Sequence, residues 1–498
     1  MSISHSAEHP VAERPSPEFL HDGPKGLLIG GRWLPPQNGA YFDTVDPSTE
    51  LVLTRVAAAD WLDVSLAVTV ARRALEDASW ASLTPYDRSR VLLDIADVLE
   101  RNAEELAVLE ALDAGSPVSQ NLWAVAGAVE AFRHYAGWPT RAYGETGPTD
   151  PSSLHYTVRR PVGVCAAIIP WNVPIFMAGW KLAPALAFGN TVILKPAEST
   201  PLTALRIGEL LQETDLPPGV VNILTGFGDV TGDALVRHPG VDKVAFTGSG
   251  EVGRHILRTA ADDFKRVTLE LGGKSPTIVF ADADLEAAAA TAAFAFCSNA
   301  GQSCIAGTWI FVQETVRAEF TERLQQELSG YTLGDPFDPS TRMGPLNNKD
   351  HFDRVRGYLE AAASEGNVRL GGEPTGGTGY FVPPTLVDEV SPDARITREE
   401  IFGPVATIMS FDGEEDAVRL GNDTAYGLAA SVWTRDLSTA HRVAGGLKAG
   451  TVWVNKWGTF DLSLPFGGFK QSGIGREHGT AALDMYTETT SVMVNLGR

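Results

Sequence analysis

Short runs rich in β-branched and apolar residues alternate along the chain with longer stretches whose apolar positions recur at helical spacing. VGVCAAII (162–169) reads as a strand, Met177–Ala187 as a helix, NTVILKP (190–196) as a strand, Thr203–Glu213 as a helix, and VVNILTG (220–226) and KVAFTG (243–248) as strands. A second series starts at SPTIVF (275–280) and runs through TWIFV (308–312), VATIMSF (405–411), LAASVWT (428–434) and GTVWVN (450–455). Strands separated by helices of about 10–15 residues make βαβ units around a parallel sheet. The fold class is therefore α/β with two parallel-sheet domains joined near residue 272. Residues 62–135 read as mainly helical and GGEPTGGTGY (371–380) as a glycine-rich loop.

Two segments stand outside this rhythm. SSLHYTVRRP (152–161) and TETTSVMVNL (487–496) alternate polar and apolar residues, as half-buried strands do. Strands of this kind between domains or at a chain end pair across subunits in many oligomers, so a homodimer or homotetramer is expected; an edge hairpin of a monomer is the alternative. The resulting division is a loose tail at 1–25, one domain from 26–151 with 162–271, a second from 272–480, and oligomerisation strands at 152–161 and 481–498.

Composition narrows the class. With 498 residues, 44% of them apolar and 20% charged, this is an ordinary folded chain with a substantial core. A formal net charge of −22 disfavours nucleic acid and anionic membranes as partners and points to a small molecule. The first 25 residues have neither a basic start nor a sustained apolar core, so the expected location is cytoplasmic. Leu285–Cys297, the most apolar window, is far short of the about 20 residues needed to span a bilayer and reads as a buried helix. The three cysteines, Cys165, Cys297 and Cys304, form no CxxC or His/Cys cluster, so no metal site is expected.

Candidate chemistry lies in four stretches. In NAGQSCIAG (299–307), Gly301 and Gly307 bracket Cys304, which suits a thiol presented at a turn or helix start, where backbone N–H groups favour the thiolate; a small core residue is the other reading. PWNVP (170–174) holds Asn172 between two prolines, as an amide donor for an oxyanion requires, or as a turn with a locally bonded Asn. ELGGK (270–274) offers Glu270 as a general base, a ribose ligand or a salt-bridge partner. In VDKVAFTGSGEVGRHI (241–256), Gly248-x-Gly250-x-x-Gly253 follows a strand, opens a helix and precedes Glu270 by the spacing of a dinucleotide fingerprint.

PWNVP, WKLAPAL (180–186), KPAE (195–198), FTGSGEVG (246–253), LELGGK (269–274), NAGQSC (299–304), EIFGPV (400–405) and PFGGFKQSGIGRE (465–477) together resemble the aldehyde dehydrogenase superfamily, in its order and over nearly all of the chain after the tail. The resemblance implies two Rossmann-like domains with a small β arm, and NAD-dependent oxidation of an aldehyde to an acid. It also resolves the glycine motif. The family loop usually carries Thr where Gly250 stands, so the middle glycine is incidental and Glu270 is free to act as the base.

The same resemblance assigns the remaining residues. Cys304 is the nucleophile, Asn172 the oxyanion donor, and Lys181 with Glu477 a pair behind the base. NAD is expected against Ile169, Trp171, Lys195, Glu198, Gly228, Phe246, Gly248, Ser249, Gly253, Leu271, Glu400 and Phe402, with Lys195 and Glu198 on the adenosine ribose and Glu400 on the nicotinamide ribose. Glu198 near the 2′-hydroxyl favours NAD over NADP, which stays possible because Lys195 is close. Val173, Phe176, Met177, Trp180, Ser298, Ser303, Trp457, Phe460 and Phe466 are expected to line the aldehyde tunnel. This uncharged, aromatic set suits a medium aliphatic or aromatic aldehyde, with a quaternary-ammonium aldehyde as rival. The alternatives to oxidation are acyl-transferring or esterase-type use of the same thioester, and a catalytically idle relative.

Overall fold

The computed structural model describes residues 14–497. The four strands of the first series and Arg266–Glu270 lie parallel in one sheet in the spatial order Arg266–Glu270, Lys243–Thr247, Val164–Ile168, Thr191–Lys195, Val221–Ile223. The three central strands are buried almost throughout, which is why they read as continuous Val, Ile, Leu and Ala runs and not as alternating ones. From Val164–Ile168 the chain steps twice in one direction and then returns to that strand's other side for Lys243–Thr247. Such a reversal opens a crevice at the carboxyl ends of the strands, where α/β proteins bind ligands. Leu27–Ile29 and Arg32–Leu34 add antiparallel strands at one edge. Gly473–Ile474, which the sequence division put in the second domain, adds one at the other edge beside Arg266–Glu270.

The second sheet has seven strands in the order Asn367–Leu370, Thr385–Asp388, Val405–Phe411, Trp309–Gln313, Pro276–Val279, Ala429–Trp433, Thr451–Val454. All neighbours are parallel except the outermost pair, Asn367–Leu370 with Thr385–Asp388. The two alternating segments form strands Ser153–Pro161 and Thr487–Asn495, which pair with each other antiparallel within the chain.

Helices Trp61–Glu76, Pro85–Arg101, Ala103–Ala114 and Val118–Ala136 fill the region read as helical. Asp60 starts the first with a capping box to Asp63, and Thr84 caps the second ahead of Pro85. Helix Val118–Ala136 comes very close to helix Pro174–Ala187: a Cβ built on Gly179 would lie 2.8 Å from the Cα of Ala128. Small residues on both helices permit that approach.

Two expectations need correction. Residues 14–25 are docked and not loose: Arg14 donates to Asp335 at 2.6 Å and to the Ser48 hydroxyl at 2.7 Å, and Phe19 is buried under the Lys25 ammonium. Residues 1–13 of that proposed tail lie outside the described residues. Helix Leu285–Cys297 buries only one side, with Ala287, Ala290 and Phe294 exposed, because alanine-rich sequence does not mark which face meets water. Among the described residues no helix is long and apolar enough to cross a membrane.

Candidate active site

Glu270 ends its strand at the carboxyl edge of the first sheet, and three glycines clear the space around it. A Cβ on Gly467 would lie 2.7 Å from Glu270 Oε1, one on Gly272 would collide with the Glu400 carboxylate, and one on Gly273 with the Cys304 carbonyl. The two glycines after Glu270 thus let the chain slide between the acid of one loop and the backbone of the nucleophile. Ser472 fastens the same segment, accepting from Leu271 N–H through its carbonyl at 3.0 Å and donating its hydroxyl to Gly272 O at 2.7 Å.

Cys304 sits in a turn after the stretch Ser298–Gly301, which is built from left-handed residues. Asn299, Ala300 and Gly301 have φ of 51°, 53° and 72°. Side-chain amides interlock there. Asn172 Nδ2 donates to Gln302 O at 2.8 Å, Asn299 Nδ2 to Asn172 O at 2.7 Å, and Gln302 Nε2 to Asn299 O at 3.0 Å. Gln120 Oε1 accepts from Asn299 N–H at 3.1 Å, and Gln302 Oε1 from Asn347 N–H at 2.8 Å. Asn172 is thereby fixed two residues from the nucleophile while its second amide hydrogen stays uncommitted to this web. Gln120 and Asn347 lie in no motif, and the roles of Asn299 and Gln302 inside NAGQSC went unread.

Two buried carboxylates share the pocket behind the cysteine. Glu477 is paired with Lys181, which is wholly buried. Glu270 is 4% exposed, and neither of its oxygens has a hydrogen-bond partner among the described residues. Burial first, and then the Glu477 charge, hold the Glu270 carboxyl well above the ordinary carboxylate range, against the pull of Lys181 and Arg476. The Cys304 thiol is pushed up to about 12 by burial and by Glu400 and Glu270, with backbone N–H groups of Cys304 and Ile305 opposing. The backbone N–H groups at the turn thus favour the thiolate as expected, while burial and the two nearby carboxylates outweigh them.

The cofactor candidates line the crevice. Ile169 and Trp171 follow the strand Val164–Ile168, Lys195 and Glu198 follow Thr191–Lys195, and Gly248 to Gly253 follow Lys243–Thr247. Buried Lys195 Nζ donates to Pro196 O at 3.0 Å and lies 3.6 Å from the half-exposed Glu198 carboxylate. Ser249 caps helix Gly250–Ala260, accepting from Val252 N–H at 3.3 Å. A Cβ on Gly253 would lie 2.7 Å from Leu271 Cδ2, so that leucine would have to move, and a Cβ on Gly248 would strike the Phe246 ring. Gly228 opens the turn Gly228–Gly232 with no atom within 4 Å of where its Cβ would be.

On the far side of the crevice, Glu400 Oε1 accepts from Gly273 N–H at 3.0 Å and its carboxyl is raised to about 7 by burial. Lys274 pins the preceding loop, donating to Ile396 O at 2.8 Å and Glu399 O at 2.9 Å. Phe402 (φ 62°) meets Trp171 edge-on at 5.3 Å between ring centres. His351, a further residue the sequence did not single out, donates from Nε2 to Phe402 O at 2.7 Å and lies 4.9 Å from Trp171.

Phe176, Trp180 and Phe466 belong to one buried apolar cluster against which Val173, Met177, Cys304, Trp457 and Phe460 pack. Trp180 is 4.6 Å from Phe176, 5.3 Å from Phe460 and 5.4 Å from Phe466, and Trp457 Nε1 donates to Ile305 O at 3.0 Å. Ser298 and Ser303 flank the cysteine turn. Of the expected tunnel residues, seven are thus gathered in one cluster with the cysteine.

The model of the Aldehyde dehydrogenase family matches residues 33–492. An aldehyde dehydrogenase of Aspergillus niger is 46% identical over 479 residues, covering 96% of each chain. The solved NAD+ complex of an aldehyde dehydrogenase from Bacillus cereus superposes with a TM-score of 0.94 at 44% identity, covering 96% of this chain and 98% of that one. A mutant of the P. syringae indole-3-acetaldehyde dehydrogenase AldA, solved with NAD+ and IAA, gives 0.93 at 42%, covering 95% and 97%. On these matches and the geometry above, the chain belongs to the aldehyde dehydrogenase family.

Proposed function

We propose that the protein oxidises an apolar aldehyde of medium length, or an aromatic one, to its carboxylic acid with NAD, through a thioester on Cys304. The observation that carries the reading is the meeting of Asn172, Glu270 and Cys304, from three separate segments, at one turn packed against an uncharged aromatic cluster. Glu270, or water it has activated, takes the Cys304 proton; the sulfur then adds to the carbonyl carbon, and the carbonyl electron pair moves to oxygen. Asn172 Nδ2 and the Cys304 N–H hold that oxyanion. Its collapse expels hydride and leaves a thioester on Cys304.

The bound dinucleotide supplies the hydride acceptor. The residues fit it: Ser249 offers a helix N-terminus for phosphate, Lys195 and Glu198 flank the adenosine-ribose position, and Glu400 and Phe402 flank the nicotinamide side. Glu270, having released the first proton to solvent, then takes a proton from water as the water oxygen attacks the thioester carbon, and passes it on to the departing sulfur. The acid leaves and Cys304 regains its proton. A water-activating carboxylate in this place supports hydrolysis over acyl transfer.

The seven gathered tunnel residues support the substrate class, since all are apolar or aromatic and none carries a charge to pair a second carboxylate. Trp180, Trp457 and Phe460 also favour a second reading, a quaternary-ammonium aldehyde held by cation–π contact. NADH formation with hexanal, phenylacetaldehyde, betaine aldehyde and succinic semialdehyde tests both: hexanal or phenylacetaldehyde is expected to give the highest kcat/KM, and a lead by succinic semialdehyde sinks the uncharged-pocket argument. We further propose a homodimer or homotetramer. The strand pair Ser153–Pro161 and Thr487–Asn495 leaves Leu154, Met493 and Leu496 exposed, which supports burial against a second copy. Three free cysteines fit a reducing compartment, for which we propose the cytoplasm.

A further inference from the structure

We infer that Glu110 is a positioning residue for the oxyanion donor: by holding the first N–H of the helix that follows Asn172, it fixes the loop from which that amide acts. The inference rests on the reading of Asn172 as the donor and adds to it the group, from a distant part of the chain, that keeps the donor in place.

Helix Pro174–Ala187 starts without a cap of its own. Val173 precedes it and offers no side-chain hydrogen bond, and Pro174 at the first position has no N–H to give. Ile175 therefore carries the first N–H of the helix, and it is wholly buried, so water does not reach it. Glu110 Oε2 accepts from it at 3.0 Å. The acid comes from helix Ala103–Ala114, 65 residues earlier in the chain, and is 1% exposed. Three residues further along the same face, Asp113 accepts from Leu202 N–H at 2.8 Å, at the start of helix Leu202–Leu211. One helix thus meets the N-termini of the two helices that follow PWNVP and KPAE, and Glu110 serves the one that follows the oxyanion donor.

Asn172 stands three residues before that bond. Its backbone carbonyl accepts from Asn299 and its Nδ2 donates to Gln302, so a shift of the helix start pulls the amide away from the nucleophile turn or drags the turn with it. Pro170 and Pro174 stiffen the segment but supply no N–H, which leaves the Ile175–Glu110 bond to anchor its far end. Among the described residues no Lys or Arg faces Glu110, and burial pushes its carboxyl up to about 8, so at neutral pH it is mainly the neutral acid. In that state it accepts through its carbonyl oxygen, as a glutamine amide does. A buried N–H left without an acceptor is costly, so loss of Glu110 drives the helix start to seek another partner and moves the loop. A donor aimed at a developing oxyanion tolerates little such movement.

The test compares kcat for hexanal and KM for NAD in the wild type, Glu110→Gln, Glu110→Met, Asn172→Ala and the double variant Glu110→Met with Asn172→Ala, each first checked for folding by a denaturant titration. Glu110→Gln keeps the acceptor and is expected to stay within about threefold of the wild type. Glu110→Met keeps the volume and loses the acceptor: kcat should fall about thirtyfold, while KM for NAD moves by less than about twofold. Asn172→Ala should cost roughly 10²–10³-fold, and in that background Glu110→Met should cost less than about threefold more, because no donor is left to misplace. Should Glu110→Met not fold, Glu110→Asp, which withdraws the carboxyl by one methylene, is expected to give the same non-additive loss. Equal losses from the Met or Asp variant with and without Asn172, an unchanged kcat in it, or a Glu110→Gln as damaged as Glu110→Met overturn the inference and leave Asn172 as the donor. Wild-type kcat in Asn172→Ala overturns the reading of the donor itself.

Discussion

The turn that presents Cys304, the proposed nucleophile, and the loop Gly248–Gly253, proposed to meet the nucleotide, are built on opposite principles. From Asn299 to Gln302 three successive residues have positive φ, two of them not glycine, and Asn172, Gln120 and Asn347 lock the backbone through hydrogen bonds to or from side-chain amides. Strain of this kind persists only where surroundings over-determine it. From Gly248 to Gly253 the backbone instead enters an ordinary helix, capped by one serine, and Gly250 has no neighbour nearer than the Arg254 guanidinium at 3.6 Å. Covalent chemistry at Cys304 needs a single placement of sulfur, oxyanion donors and base, because a misplacement of about 1 Å costs roughly a hundredfold. A phosphate needs only a helix N-terminus and room. Substitutions in the first region should therefore be far costlier than in the second.

The largest effects are expected at the reacting groups. Cys304→Ala should abolish aldehyde oxidation while NAD binding, followed by fluorescence titration, persists. Glu270→Gln should form about one equivalent of NADH per site and then slow by roughly 10²–10⁴-fold at thioester hydrolysis. The pH profile gives the sign: the Glu270 carboxyl titrates well above its ordinary value, so its base form appears only as pH rises past that point. Steady-state turnover in the wild type should climb along that limb, and Glu270→Gln should flatten it. Unimpaired steady turnover in either variant breaks the mechanism.

Next comes the scaffold of the turn. Gly301→Ala places a Cβ against the Gly403 backbone at φ 72°, where neither partner is a movable side-chain end. We expect destabilisation of about 2 kcal/mol or more, read in a denaturant titration, and a fall in kcat beyond that explained by unfolded protein. Wild-type kcat and stability in this variant would mean that the turn is not the constraint it is taken to be.

How far the sequence told these regions apart is instructive. The parallel strands were legible because burial on both faces writes them as unbroken apolar runs, whereas the glycines and prolines beside Cys304, Glu270 and Asn172 only marked them as candidates, and their roles came from the family resemblance. Lys181 and Glu477 were found only through the family motifs, since nothing in WKLAPAL or GIGRE states that residues 296 apart form a buried pair. Gln120, Gln302, Asn347 and His351 were missed: their roles depend on which loop lies opposite, which no local pattern encodes. The docking of residues 14–25 was missed for the same reason, as Arg14 finds Asp335 far along the chain.

On the nucleotide side, Glu198 sets a smaller effect. Its carboxylate, 45% exposed and 3.6 Å from Lys195 Nζ, would repel a 2′-phosphate at the proposed ribose position while Lys195 would attract one. Glu198→Gln should shift the ratio of kcat/KM for NADP over NAD upward by about tenfold, from a wild-type preference for NAD. An unchanged ratio would show that Glu198 points away from the ribose.

The smallest effect, and the sharpest test of the contrast, is expected at Gly250. This position lacks the threonine usual in the family loop, yet its backbone is helical and not left-handed, and the space beside it is open. Gly250→Thr therefore adds a side chain without a clash. It lowers the conformational freedom of the unfolded chain and slightly raises helix propensity at the first turn, so stability should hold or rise by less than about 1 kcal/mol. Ser249 keeps its cap on Val252 N–H, and the helix N-terminus that faces the phosphate position is unchanged. KM for NAD should move by less than about threefold, with kcat for hexanal unaltered, because neither Cys304 nor the web around Asn299 touches this loop. If Gly250→Thr instead costs as much activity as Gly301→Ala, the nucleotide loop is as tightly specified as the nucleophile turn, and the difference between the two regions disappears.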